Sequence, residues 1–126
     1  MDYKHYNSIA LAFLGDAVYE KFIRERIVRH GSAGADRMHK EAVRYVKAAA
    51  QEQALRVMAE DLTEDEADVV RRARNHKITS KPKNADPLTY KMATAFEALL
   101  GYLYLAGETE RLEEIMNRAA EIVEEP

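Results

Sequence analysis

The chain has no cysteine among its 126 residues, so disulfides, thiolate metal sites and cysteine nucleophiles are excluded. No apolar run is long enough to span a bilayer, and the opening Met1-Asp2-Tyr3-Lys4-His5-Tyr6 is polar, without the apolar core of a signal peptide. These absences predict a cytoplasmic protein with no membrane partner. Internal repeats and low-complexity linkers are lacking too, which predicts a single domain over residues 1–126. Familiar catalytic signatures are also missing. His5, His30, His39 and His76 are scattered without HExxH spacing. The glycines form neither GxGxxG nor a phosphate-binding loop, and Ser8, Ser32 and Ser80 sit in no nucleophile elbow. No segment alternates with period two, so strands are not expected.

What remains is helical. A hydrophobic content of 47% beside 33% charged residues is that of a globular chain, not a disordered one. Apolar residues at helical spacing predict a first helix over residues 6–14 and a second over 17–30, the latter ended by Gly31-Ser32-Ala33-Gly34. Asp36 reads as the cap of a long alanine-rich helix over 37–60. Thr63-Glu64-Asp65-Glu66 is a helix start with a hydroxyl cap and acids in its first turn. A polar loop over residues 74–84 follows. Asp86-Pro87 restarts a helix that runs to Gly107, and a last helix begins at Thr109. The fold class is all-α.

Two carboxylates stand out. Asp16 follows Gly15 inside Leu11-Ala12-Phe13-Leu14-Gly15-Asp16-Ala17-Val18, and Glu97 lies within Ala93-Thr94-Ala95-Phe96-Glu97-Ala98-Leu99-Leu100-Gly101. Each acid is embedded in an oily helical segment, where an unpaired charge is costly. A glycine–aspartate pair also reads as a helix cap, and a glutamate beside a core stripe also reads as a solvent-facing one. Taken together, the two acids suggest a shared hard divalent cation such as Mg²⁺, which one or two carboxylates, waters and substrate phosphates typically hold. Such an ion activates water and steadies phosphate charge.

The formal net charge of −3 is a poor guide to partners, because charge is segregated along the chain. Between Arg71 and Asn84 lie Arg71, Arg72, Arg74, Lys77, Lys81 and Lys83 with no acid, beside Asn75 and Asn84. Cations with interleaved amides suit a nucleic-acid backbone, although a single basic cluster is more often a solvated loop.

The stretch Leu11-Ala12-Phe13-Leu14-Gly15-Asp16-Ala17-Val18 resembles the signature of the ribonuclease III family, and Phe96-Glu97-Ala98-Leu99-Leu100-Gly101 resembles its second catalytic helix. The resemblance extends to the Mini-ribonuclease III branch, which lacks a double-stranded-RNA-binding domain. It is carried by Asn7-Ser8-Ile9-Ala10, Arg44-Tyr45-Val46, Ala49-Ala50-Gln51, Arg72-Ala73-Arg74-Asn75, Pro82-Lys83-Asn84-Ala85-Asp86 and Thr94-Ala95-Phe96-Glu97. It implies a helical homodimer that hydrolyses double-stranded RNA with Mg²⁺. By position, Asp16 and Glu97 fall on the family's catalytic and metal-binding acids. The implied substrate is the precursor of 23S ribosomal RNA, cut at its paired ends with a ribosomal protein as helper.

Ile9, Ala12 and Thr94 stand where the full-length family carries acids, as the resemblance also implies for the Mini branch. Glu20, Glu41 and Asp86 are the candidates to fill the gap. That thinner site keeps a rival reading open, a catalytically weak duplex-RNA-binding dimer that assists ribosome assembly. A helical protein–protein adaptor is the third.

Overall fold

The computed structural model describes residues 2–31, 34–77 and 83–125. Among them every regular element is helical: α1 (Ser8–Arg29), α2 (Ala35–Val46), α3 (Ala48–Met58), α4 (Glu64–Arg74), α5 (Pro87–Leu105) and α6 (Thr109–Glu124). Short 3-10 turns occupy Tyr3–His5 and Ala59–Asp61. The fold is the expected all-α bundle, of six helices.

Helix α5 is the hub. Met92, Ala95, Phe96, Leu99, Leu100 and Leu103 are buried on different sides of it, the pattern of a helix enclosed by others. Helix α1 packs along it most extensively, with α4 and α3 on its flanks. Leu11, Tyr19 and Ile23 supply the α1 side of that core, each at most 1% exposed. Burying side chains of this size stabilises by roughly 1.5–3 kcal/mol each. Tyr19 and Phe96 meet edge to face, ring centroids 5.0 Å apart.

The seam between α1 and α5 is closer than side chains would allow. A Cβ on Gly15 would lie 1.7 Å from the carbonyl oxygen of Glu97, and one on Gly101 would lie 2.0 Å from that of Leu11. The helices run antiparallel and touch backbone to backbone, with Leu11 against Gly101 and Gly15 against Glu97.

Two expectations are corrected. Residues 6–14 and 17–30 are not separate helices. Asn7 caps a single α1, its side chain accepting from the N–H groups of Ile9 and Ala10, and Asp16 lies mid-helix rather than at a cap. Gly15 serves the contact with α5, not a chain break. The helix expected over 37–60 is likewise two. It breaks at Lys47, whose extended backbone (φ −63°, ψ 151°) lets α2 and α3 take different directions. Gly34, not Asp36, occupies the cap position of α2, and Asp36 lies in the first turn without a capping bond.

The local signals elsewhere hold. Thr63 and Glu66 form a reciprocal capping box, and Asp86 caps α5 with Pro87 at its first position. Glu66, only 3% exposed, also receives Arg111 from α6 through two bonds of 2.9 and 2.8 Å. At the other end of α6, Glu124 is gripped by Arg26 at 2.9 and 2.8 Å and by the Tyr45 hydroxyl at 2.7 Å. These two buttresses fix α6 against α4 at one end and against α1 and α2 at the other.

The seam yields a prediction. Gly15→Ala, normally favourable inside a helix, forces the two backbones apart and lowers stability by about 3 kcal/mol. Thermal unfolding should show a Tm lower by about 10 °C, and an unchanged or higher Tm would contradict the backbone contact.

Candidate active site

The backbone contact decides where the two acids go. Gly15 sits against the carbonyl of Glu97, so the next residue, Asp16, is carried to the rim of the same contact. The Asp16 and Glu97 carboxyls lie close enough to act on one another. Asp16 is exposed, whereas Glu97 is half-buried. The pair therefore opens to solvent on the Asp16 side and is walled by helix on the other.

Electrostatics sharpen the pair. Burial pushes the Glu97 carboxyl up to about 8, and the adjacent Asp16, by its charge and its hydrogen bond, pushes in the same direction. Glu20, one helical turn beyond Asp16, adds to the rise. Gln51 of α3 opposes it, its Nε2 donating to Oε2 of Glu97 at 3.4 Å. At neutral pH the pair thus holds a proton that two separate carboxylates would not, and a cation could replace it.

The donors fit a hard divalent ion. Both are carboxylate oxygens, one already facing solvent, and Mg²⁺ needs only one or two carboxylates if water and substrate phosphates complete its shell. Among the described residues no group of three or more His, Asp or Glu is arranged to hold a metal. The remaining ligands would come from outside the chain.

The candidate replacement acids divide clearly. Glu20 belongs to the site's surroundings, held by Arg24 Nε at 3.3 Å. Glu41 pairs with Arg44 at 3.1 Å, and Asp86 accepts from Leu88 and Thr89 as the cap of α5. Asp86 starts the helix eleven residues before Glu97, about 16 Å away along its axis. At the positions lacking family acids, Ile9 is 49% exposed and Ala12 is buried, while the Thr94 hydroxyl donates to the Tyr90 carbonyl at 2.9 Å.

Helix α4 lies antiparallel to α5, because Arg111 at the start of α6 holds the first turn of α4 beside the end of α5. The basic last turn of α4 accordingly lies toward the beginning of α5. Not all of its cations are free. Arg71 pairs with Asp68 at 2.7 Å, and Arg72 donates to the Lys4 carbonyl. Arg74, Lys77 and Lys83 are exposed and make no ion pair among the described residues. Asn75 ends α4 as its C-cap, and Asn84 takes the left-handed backbone (φ 72°) that asparagine tolerates. Lys81 lies outside the described residues. Sequence reasoning missed Gln51 for chemistry; its signal there is an amide directly after Ala48-Ala49-Ala50, on the buried side of α3.

Comparison with known proteins gives this arrangement a class. A ribonuclease III domain matches residues 9–108, which include both acids. The fold and the site define an endoribonuclease of the ribonuclease III type. Mini-ribonuclease 3 of Symbiobacterium thermophilum is 51% identical, the match covering 92% of this chain and 89% of that protein. Mini-ribonuclease 3 of a Thermoanaerobacter species is 48% identical over 93% of this chain and 82% of its own. A crystal structure of a protein from Fusobacterium nucleatum superposes with a TM-score of 0.83 at 32% identity, covering 93% of each chain. This chain belongs to the ribonuclease III family, in its Mini-ribonuclease 3 branch.

The carboxyl pair generates a pH prediction. With Glu97 raised from the usual 4.5 to about 8, the native state keeps a proton that the unfolded chain has released between those values. Metal-free stability attributable to Glu97 therefore falls as pH rises from 5 to 8. Glu97→Gln should flatten that part of the Tm–pH curve and raise Tm at pH 8. Mg²⁺ should raise Tm at pH 8 in the wild type but much less in the variant.

Proposed function

We propose that this chain is a Mg²⁺-dependent endonuclease that cuts double-stranded RNA as a homodimer, residues 1–126 forming one catalytic domain. The observation that carries the reading is the meeting of Asp16 and Glu97 at a solvent-open rim, with no cation of the chain paired to Glu97 among the described residues. Asp16 and Glu97 would hold the ion together. When bound, it supplies positive charge against the scissile phosphate and lowers the pKa of water for attack. Glu97, anchored between α1 and α3, fixes the inner wall of the site. Asp16, on the exposed side, faces the incoming phosphate.

The exposed Arg74, Lys77 and Lys83, with Arg71, Arg72, Asn75, Lys81 and Asn84 around them, are assigned to the RNA backbone. Pro87 precedes Glu97 by ten residues, about 15 Å along α5, a span of a few phosphates. A-form RNA offers phosphates and 2′-hydroxyls across its shallow minor groove, so recognition rests on shape and backbone. The substrate we assign is the paired ends of the 23S ribosomal RNA precursor, with a ribosomal protein as helper.

Pairing of two copies is supported by Phe13, which is 83% exposed beside Ile9 at 49%. A cleft of ≈ 430 Å³ lies along α1, lined by Leu14, Val18, Phe22, Tyr104, Leu112 and Met116. A two-fold contact through α1 would seat each Phe13 in the partner's cleft and set two carboxylate pairs against one duplex.

Cleavage of a long RNA duplex tests the reading. The wild type should cut in Mg²⁺ and stop in EDTA, and Asp16→Asn, still folded and dimeric, should lose at least about 100-fold in rate. Duplex binding without cleavage, on naked RNA and on precursor ribosomal particles alike, would instead favour a catalytically weak binding dimer. Replacing Arg74, Lys77 and Lys83 by alanine should weaken duplex binding and reduce the slope of log affinity against log salt by about 3 per protomer. An unchanged slope would remove these residues from the interface.

A further inference from the structure

Gln51 is buried as deeply as the core leucines, at 2% exposure. It stands in the first turn of α3 among Ala48, Ala49, Ala50 and Ala54. An alanine or leucine there would avoid the desolvation of a primary amide, which is unfavourable unless its donors find partners. Its one side-chain hydrogen bond among the described residues runs from Nε2 to Oε2 of Glu97, at 3.4 Å.

The backbone is arranged around that contact. Residues 35–58 would read as one continuous helix but for the extended Lys47. That residue restarts the chain as α3, its carbonyl accepting from the Gln51 N–H at 3.1 Å. The restart turns the first helical turn of α3 toward α5, where Glu52 also reaches the Thr89 hydroxyl at 2.8 Å. Glu97 is thus held on one side by Asp16 and on the other by a neutral donor.

We propose that Gln51 is a positioning residue for the metal site: its buried amide engages one Glu97 oxygen and fixes the carboxylate so that the other faces Asp16 and the cation between them. The inference rests on reading Asp16 and Glu97 as a metal-holding pair. A neutral amide suits the task, because it orients the carboxylate without cancelling the charge that attracts the ion. A lysine or arginine in its place would occupy the cation's position electrostatically. Outer-shell partners of this kind typically contribute about 10- to 100-fold in metal affinity.

The test is calorimetric titration of the RNA-free protein with Mn²⁺ or Mg²⁺, together with the Mg²⁺ dependence of duplex cleavage. Gln51→Met keeps side-chain length and apolar packing while deleting the amide. Gln51→Asn withdraws the amide by one methylene, so the test survives if one variant fails to fold. In each folded variant the metal Kd and the Mg²⁺ concentration for half-maximal cleavage should rise about tenfold or more, with KM for the duplex unchanged. A purely structural role would lower Tm and leave metal affinity alone. Affinity within about twofold of wild type in either folded variant overturns the assignment. Asp16→Asn is the reference. If it loses metal while the Gln51 variants keep it, only this inference falls; if it too binds normally, the metal-pair reading falls with it.

Discussion

The approach of two helix backbones at Gly15 and Gly101 sets everything else in this molecule. A mid-helix glycine costs about 1 kcal/mol relative to alanine, and the chain carries one in each of its two central helices. Each lies against a carbonyl of the other helix, so a methyl group at either place would occupy the position of a backbone atom. With no side chains between them, the residues flanking the contact have little freedom in where they stand. Asp16 follows Gly15 directly, and Glu97 is the residue whose carbonyl Gly15 touches. The site geometry is therefore inherited from the main chain, which is stiffer than any arrangement of long side chains. The remaining helices wrap α5 and hold this seam closed.

Two glutamates show what the chain does with buried charge. Glu66 and Glu97 both feel burial, which favours the neutral acid. At Glu66 the bonds from Arg111 and Thr63 outweigh that push and hold the carboxyl below its usual range. At Glu97 the nearest charged neighbours are Asp16 and Glu20, and the carboxyl rises to about 8. The same chemical group is stabilised as an anion in one place and destabilised in the other. The difference lies in whether the fold provides a counter-charge. Arg24, the arginine nearest in sequence to these acids, is turned to Glu20. A pair of acids with no cation paired to it among the described residues is the arrangement that an external divalent ion would relieve.

Much of this was legible in the sequence, and the misses share one cause. The Thr63 and Asp86-Pro87 starts were readable because a cap is made within three or four residues. The pairing of Asp16 with Glu97 was readable because each acid contradicts its apolar surroundings. Gly15 suggested a break, since glycine is unfavourable in helices, but its reason for being there is a carbonyl on another helix that local sequence does not show. Lys47 failed in the opposite sense. Nothing in Val46-Lys47-Ala48-Ala49 opposes a helix, yet tertiary packing ends one there. Arg71 and Arg72 stand in a stretch without acids, yet Asp68 and the Lys4 carbonyl come within their reach in the fold. In each case the deciding partner is supplied by folding rather than by the immediate sequence.

The same distinction explains how an acidic chain can engage a polyanion. The 22 acidic and 19 basic residues leave a formal charge of −3, but much of the acid is answered inside the fold. Asp65 meets Lys4 at 2.9 Å, Glu66 meets Arg111 at 2.8 Å, Asp61 meets Arg118 at 3.0 Å and Glu124 meets Arg26 at 2.8 Å. Helix α4 separates its charges along its length, with Glu64, Asp65 and Glu66 in the first turn and Arg71, Arg72 and Arg74 in the last. This order agrees with the helix dipole, which favours acids at the start and cations at the end. It also places the acids beside the start of α6 and the cations toward the start of α5. A phosphate chain responds to the field within about 10 Å of its own path, since salt screens the rest. Along the end of α4 that field is set by Arg74 and Lys77, whereas at the far end of the same helix Asp65 and Glu66 are answered by Lys4 and Arg111.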